Sequence, residues 1–127
     1  MSYGLAASGN DVYLPVLAEC CDVFYLGGTK CGALFGEAIV ITHPELKKDF
    51  RYMIKQKGGM LAKGRLLGIQ FLELLKDDMK LYLELAEHAD HLADRIRTAL
   101  RKKGFELICE NTTNQDFYDF CIDGVRS

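Results

Sequence analysis

A lysine in a glycine-rich segment is the residue of this sequence best suited to chemistry. Lys30 directly follows Thr29 and is flanked by Gly27, Gly28 and Gly32. A lysine amine becomes nucleophilic when it is desolvated and neutral, which is what Schiff-base chemistry requires. Glycines let the backbone approach a bulky planar ligand or a phosphate closely. The segment therefore indicates a binding loop with a reactive amine, and the alternative is a surface lysine on a tight hairpin.

The spacing in this segment excludes two common phosphate-binding motifs. A P-loop requires Gly directly before its Lys and Ser or Thr directly after it, whereas Thr29 precedes Lys30 and Cys31 follows it. The glycines at positions 28, 32 and 36 do not form a G-x-G-x-x-G pattern either.

A second group of polar side chains, at helical spacing, comprises Glu84, His88, His91 and Asp94. The two histidines are three positions apart rather than four, and no Glu follows His88 as it would in a zinc-protease helix. These residues are more typical of the solvated face of an amphipathic helix. We therefore predict no metal site.

The elements that position Lys30 are predicted to be two strands on either side of the glycine segment. The runs Val23–Leu26 and Ala38–Ile41 are apolar, rich in β-branched and aromatic residues and bounded by Gly or turn residues, so both are expected to be buried strands. A short helix over Leu14–Cys21 is expected before them. The first ten residues show no periodicity.

Three helical stretches are predicted after the strands, because apolar residues recur there at helical spacing. The first runs from Thr42 or His43 to about Gln56, the second from Met60 to about Leu75, and the third ends at Arg101-Lys102-Lys103 before Gly104. We expect Lys76-Asp77-Asp78 to interrupt the second and third. A last strand is predicted over Phe105–Glu110, and no partner strand is apparent for the aromatic residues that follow it.

Composition places the chain among ordinary folded domains. It has 127 residues, 49% of them hydrophobic and 27% charged, with a formal net charge of −2. These values argue against a disordered chain and give no basic excess for nucleic acid or anionic lipid. The five cysteines are an odd number without C-x-x-C spacing, so we expect free thiols. No signal peptide or membrane span is apparent, which predicts a cytoplasmic protein.

Two segments resemble a known family. The sequence DVFYLGGTKCGALFGE at residues 22–37 is similar to the lysine segment of the β-eliminating lyase and threonine aldolase family, and FRYMIKQKGGMLAKGR at residues 50–65 continues the resemblance. These enzymes depend on pyridoxal 5'-phosphate and have the aspartate-aminotransferase fold. The resemblance implies that Lys30 forms the internal aldimine and that the substrate is a small amino acid, cleaved by retro-aldol reaction or β-elimination.

The resemblance also implies a set of cofactor contacts. Gly28, Thr29 and Lys30 are predicted to bind the cofactor, and Lys63 is ranked first among the basic residues near Gly58-Gly59 that could reach its phosphate. In this family that phosphate contact often comes from a neighbouring subunit.

The same resemblance predicts an α/β fold built from parts of two domains. Residues 1–59 would be the end of the large cofactor-binding domain, residues 60–103 a long helical connector, and residues 104–127 the beginning of a truncated small C-terminal domain. The Asp-Gly-Ala-Arg segment whose Asp pairs with the pyridine nitrogen is absent. We therefore expect a fragment that is inactive alone, in a homo-oligomer or with a complementing chain that supplies the N-terminal part.

The alternative hypothesis is a non-catalytic module that assembles through its long helices, or an inactive paralogue without a cofactor. The third predicted helix carries a narrow apolar stripe on an otherwise charged surface, formed by Leu85, Ala89, Leu92, Ile96 and Ala99.

Overall fold

The computed structural model describes residues 1–118, and the backbone of residues 121–122 and 125–126. Its elements in chain order are α1 (Ser2–Ala6), α2 (Leu14–Cys20), β1 (Val23–Gly27), β2 (Glu37–Ile41), α3 (Pro44–Lys47), α4 (Phe50–Gln56), α5 (Arg65–Lys102), β3 (Cys121–Ile122) and β4 (Val125–Arg126). The architecture is a mixed α/β one in which a two-stranded ribbon packs against the long helix α5.

The ribbon consists of β1 and β2, which pair antiparallel from Val23↔Ile41 to Gly27↔Glu37. Both predicted strands are confirmed, but the expectation that they are fully buried is wrong. Phe24 and Leu26 are buried, whereas Tyr25 between them is 57% exposed. Side chains alternate between the two faces of a strand, and α5 covers only one face of this ribbon.

Helix α5 supplies the other half of the core. Leu74, Met79 and Tyr82 pack with Phe24 and Leu26 in one buried cluster. A ribbon of two strands is marginally stable by itself, so packing on α5 holds it.

A kink interrupts α5 at Lys76–Met79, which confirms the break expected near Lys76-Asp77-Asp78. Asp77, Asp78 and Met79 have φ values of 51°, 55° and 64°, the left-handed region. That conformation costs a non-glycine residue about 1–2 kcal/mol. Burial of the Met79 side chain on the far side of the kink offsets part of this cost.

The helices between β2 and α5 differ from the expected pattern. A helix from about His43 to Gln56 was predicted, but α3 ends at Lys47 and α4 begins at Phe50. Asp49 adopts a left-handed φ of 55° and separates them. Helix α5 begins at Arg65 rather than Met60, because Leu66 and Leu67 N–H groups bond to Lys63 and Gly64 carbonyls in a turn.

Both ends of the described chain also differ from expectation. Residues Ser2–Ala6 form α1, which packs against α5 although its sequence has no periodicity. The strand predicted over Phe105–Glu110 is wrong, since it is reduced to a single bridge between Leu107 and Tyr118. The short ladder of β3 with β4 follows it. The remainder of the predicted C-terminal segment, including the Phe120 and Cys121 side chains, lies outside the described residues.

Within the described residues, no helix combines the length and apolar character needed to cross a membrane.

Candidate active site at the lysine loop

The loop that carries Lys30 spans residues 28–36 and joins β1 to β2. Its first turn is closed by two backbone hydrogen bonds, in which the N–H groups of Cys31 and Ala33 donate to the Gly28 carbonyl at 2.8 and 3.0 Å. The Leu34 N–H donates to the side chain of Gln70 on α5 at 2.6 Å. The loop is therefore fixed to the helix as well as to itself.

Two glycines of the loop are needed for packing against α5. A Cβ on Gly28 would lie 2.7 Å from the Ala33 Cβ and 2.8 Å from the Phe71 ring. Gly36 has a φ of 87°, and a Cβ there would overlap Leu67. These contacts with Phe71 and Leu67 account for the glycines without a ligand, which differs from the predicted close approach of a planar ligand or phosphate.

A cavity of about 570 Å³ opens beside the loop, and it brings Lys30 and Thr29 together. Its other lining residues are Met1, Ser2, Tyr3, Tyr25, Gly27, Glu37 and Tyr82. The residue Lys30 is exposed, whereas a desolvated lysine is expected from the sequence. The Tyr3 hydroxyl donates a 3.2 Å hydrogen bond to the Lys30 carbonyl.

The two other predicted cofactor contacts lie elsewhere. Neither Gly28 nor Lys63 is among the described residues that line this cavity. Gly28 is buried against α5, and Lys63 is exposed in the turn that precedes α5.

Behind the loop, Ser2, Cys31 and Tyr82 form a buried polar cluster. The Cys31 thiol donates to the Ser2 hydroxyl at 3.0 Å, and the Tyr82 hydroxyl donates to the Gly27 carbonyl at 2.9 Å. Burial raises the pKa of the Tyr82 phenol, the interaction with Cys31 raises it further, and a hydrogen bond with Ser2 acts in the opposite direction. Tyr82 therefore remains a neutral donor at ordinary pH.

Sequence reasoning missed Tyr3, Tyr25, Glu37 and Tyr82 as neighbours of Lys30. Strand alternation could have identified Tyr25, since it lies on the face opposite Phe24. Nothing local identifies Tyr82, which is 55 positions away from Gly27.

The donor set of this cavity fits an aldehyde cofactor in part. It offers one primary amine for the aldehyde carbon and hydroxyl groups for hydrogen bonds, in a volume within the usual range for small-molecule pockets. Among the described lining residues, Glu37 is the one carboxylate and Lys30 the one side-chain cation.

A larger cavity of about 590 Å³ lies on the apolar side of the ribbon, lined by residues such as Leu14, Leu26, Val40 and Leu83. Asp78 is the one charged residue among its described lining. It offers neither an amine nor a cation, so it is a poorer candidate for this chemistry than the Lys30 cavity.

A separate polar cluster lies near the C-terminal end of α5. The buried Arg97 guanidinium contacts Asp116 at 2.9 Å and Asp94 at 3.2 Å, and it donates to the Thr113 carbonyl. His91 is exposed and 3.8 Å from Glu87. Across the described ranges, no group of three or more His, Cys, Asp or Glu side chains is arranged to hold a metal ion.

Comparisons with known proteins relate the chain to one enzyme family. No family model matches the sequence. The low specificity L-threonine aldolase of Pseudomonas aeruginosa is 40% identical over 72 residues, which are 57% of this chain and 20% of that protein. The corresponding aldolase of Pseudomonas sp. (strain NCIMB 10558) is 42% identical over 88 residues, or 68% of this chain and 25% of that protein.

The fold agrees with the sequence comparison. The solved structure of Leishmania major threonine aldolase has a TM-score of 0.86 and 40% identity, over 92% of this chain and 34% of that one. The chain thus spans a fifth to a quarter of the length of the curated relatives and about a third of the chain in this structure. The resemblance to the β-eliminating lyase and threonine aldolase family is therefore confirmed, over part of the length of these proteins.

Proposed function

We propose that this chain is part of a pyridoxal-phosphate-dependent lyase that acts on small amino acids, with Lys30 as the point of covalent attachment of the cofactor. The observation that carries the proposal is the cavity that contains Lys30 and Thr29, in a chain similar in sequence and fold to threonine aldolases. When bound, the cofactor supplies an electron sink for the carbanion left by carbon–carbon cleavage or by β-elimination.

The residues of the cavity would have distinct parts in such a site. The Lys30 amine would hold the cofactor at its aldehyde carbon, and as a free amine it would carry a proton. The Thr29 hydroxyl would donate a hydrogen bond beside it. The Gly28 contribution would be limited to its backbone, because its Cα faces Phe71.

Lys63 requires a second chain in this proposal. It lies outside the described lining of the Lys30 cavity, so a contact with the cofactor phosphate would come from Lys63 of another copy. Such a homo-oligomer, or a second chain that supplies a carboxylate for the pyridine nitrogen, would complete the site. Accordingly, we expect the chain by itself to show no measurable cleavage of threonine.

Reductive trapping tests the proposal. The chain is incubated with pyridoxal 5'-phosphate, reduced with borohydride and mapped by peptide mass spectrometry. We expect the pyridoxyl adduct to concentrate on Lys30 and to disappear in Lys30→Arg, which keeps the charge. Lys103→Arg, at an exposed lysine after α5, is the matched control and should keep the adduct. An adduct spread evenly over the exposed lysines would overturn the proposal.

One observation favours the second candidate, a non-catalytic assembly module. Leu85, Leu92 and Ile96 on α5 are 40%, 42% and 58% exposed, although they are large apolar side chains. A stripe of this kind is typical of a helix that contacts another chain. This candidate predicts a stable oligomer by sedimentation and no visible absorption band when the cofactor is added.

A further inference from the structure

We infer that Tyr82 is a positioning residue for Lys30: its phenol holds the strand end from which the lysine loop departs, and so determines how the loop presents the amine to the cavity. The inference rests on the proposed function for the identity of the ligand. The restraint of the lysine loop by Tyr82 does not depend on that function.

Tyr82 is buried in the core. Its relative exposure is 0%, although a tyrosine carries a hydroxyl that must be satisfied inside the protein. The hydroxyl meets this need by donating to the Gly27 carbonyl at 2.9 Å. Gly27 is the last residue of β1, three positions before Lys30.

The hydrogen bond from Tyr82 lies directly before the turn that carries Lys30. The next carbonyl along the chain, that of Gly28, accepts the two N–H groups that close the loop turn. Tyr82 therefore fixes the peptide immediately before the turn, and any rotation of that peptide would tilt the whole turn and move Lys30 with it.

Two further hydrogen bonds connect the same turn to α1. The Tyr3 hydroxyl on α1 donates to the carbonyl of Lys30 itself. The Cys31 thiol, beside Lys30, donates to Ser2 on α1. The turn is therefore joined to α1 through Tyr3 and Ser2, and the strand end before it is joined to α5 through Tyr82. A set of hydrogen bonds of this kind restrains direction as well as distance.

The restraint on the loop serves the chemistry of Lys30. Lys30 is exposed, so the side chain itself gains little order from packing. The region that the amine can reach is then set by the backbone from which the side chain departs, and Tyr82 and Tyr3 are two of the side chains that hold this backbone. Neither is assigned a part in bond making, so both are positioning residues.

The test uses the 127-residue chain with Tyr82→Phe, which keeps the ring and removes the hydroxyl, and with Tyr3→Phe as a second variant in case the first does not fold. Tyr52→Phe, at a tyrosine that is 74% exposed on α4, is the matched control. Two measurements are made on each, together with thermal unfolding to confirm that the chain is folded.

The first measurement needs no cofactor. Lysines are dimethylated with ¹³C-formaldehyde, and the resonance of each dimethylamino group is followed by NMR. Three tyrosine rings line the cavity of Lys30, so its signal should be displaced by ring currents. We expect the Lys30 signal to move toward the positions of the exposed lysines in Tyr82→Phe and Tyr3→Phe, with Lys63 and Lys103 unchanged. A Lys30 signal that stays in place in both folded variants would overturn the inference.

The second measurement is the ratio of reduced pyridoxyl adduct on Lys30 to that on Lys103. We expect Tyr82→Phe to lower this ratio by about 3- to 10-fold, the effect of one lost hydrogen bond, and Tyr52→Phe to leave it unchanged. If the unaltered chain prefers Lys30, an unchanged ratio in Tyr82→Phe would also overturn the inference. If the unaltered chain shows no preference for Lys30 while the NMR signal still responds, the proposed function fails and the positioning role stands.

Discussion

The Phe71 ring of α5 lies so close to the backbone of Gly28 that a Cβ at this glycine would be 2.8 Å from the Phe71 Cζ atom. The lysine loop thus packs closely on the helix, and Gly28 is required by that contact. Its small size is explained without a bound ligand.

Gly28→Ala is expected to lower the free energy of unfolding by about 1–3 kcal/mol, the usual cost of forcing a methyl group into a filled space. Urea denaturation measures the change. Gly27→Ala is the matched control, since a Cβ there meets no heavy atom within 4 Å. Phe71→Leu should recover part of the loss in the double variant, and equal effects at the two glycines would contradict the packing explanation.

Gly68→Ala is expected to stabilise the chain. Gly68 lies in the interior of α5, and a Cβ there would meet nothing within 4 Å. Alanine is favoured over glycine in a helix by about 1 kcal/mol, so the thermal unfolding temperature should rise. Gly58→Ala is the contrasting control, because its φ of 76° disfavours any side chain and the temperature should fall. A destabilised Gly68→Ala would indicate that this face of α5 is covered.

Arg97→Ala is expected to be strongly destabilising. The buried Arg97 guanidinium contacts Asp116, whose side chain is only 10% exposed, and also bonds to the Thr113 carbonyl. Its removal leaves a buried carboxylate without its cation, which costs about 3–5 kcal/mol. Arg97→Lys should not restore the loss, because one ammonium group cannot span the same acceptors.

The control for this prediction is Arg101→Ala. Arg101 is 47% exposed and pairs with Glu110, which is 79% exposed, so its loss should change the free energy of unfolding by about 0–1 kcal/mol. Chemical denaturation of both variants gives the comparison, and similar losses at Arg97 and Arg101 would refute the special contribution of the buried pair.

The raised pKa of Asp90 should make the free energy of unfolding depend on pH. Burial raises its pKa, against the opposing effects of the Asn114 backbone, Arg97 and His91. An acid with a raised pKa in the folded state holds its proton more tightly there than in the unfolded chain. The stabilisation that protonated Asp90 provides is therefore complete below about pH 4, the ordinary pKa of an aspartate. It is lost as the pH rises through the raised pKa of the folded state.

The variant Asp90→Asn should accordingly be more stable than the unaltered chain near neutral pH, with a difference that shrinks toward pH of about 4. Urea denaturation over this pH range measures it. Asp11→Asn, at an exposed carboxylate, is the control. A difference that grows on acidification would show that Asp90 is stabilised as a carboxylate.

The sequence was informative where local chemistry determines structure. The strands around Lys30 and the break in α5 at Asp77 follow from apolar runs and from charged residues that interrupt them. The predicted strand at Phe105–Glu110 failed because a strand also needs a partner, and only one bridge, from Leu107 to Tyr118, forms. Helix α1 was missed because its stability comes from packing on α5 rather than from its own pattern.

Only part of the candidate site could be predicted from the sequence, because some of its residues come together by packing between distant segments. Lys30 and Thr29 are neighbours in sequence, so their joint presence at one cavity needed no fold. The tyrosines at positions 3 and 82 reach the loop from α1 and from α5, by contacts that no local pattern encodes.

The separation of Gly27 from Tyr82 also has a consequence for biosynthesis. The two residues are 55 positions apart, so ribosomes that add about 5–20 residues per second make Lys30 roughly 3–10 seconds before the tyrosine that fixes its loop. During that interval the emerging hairpin has α1 and α2 but not α5 to pack on. The nascent chain therefore carries the Lys30 amine in a loop that still lacks its hydrogen bonds to Gln70 and Tyr82.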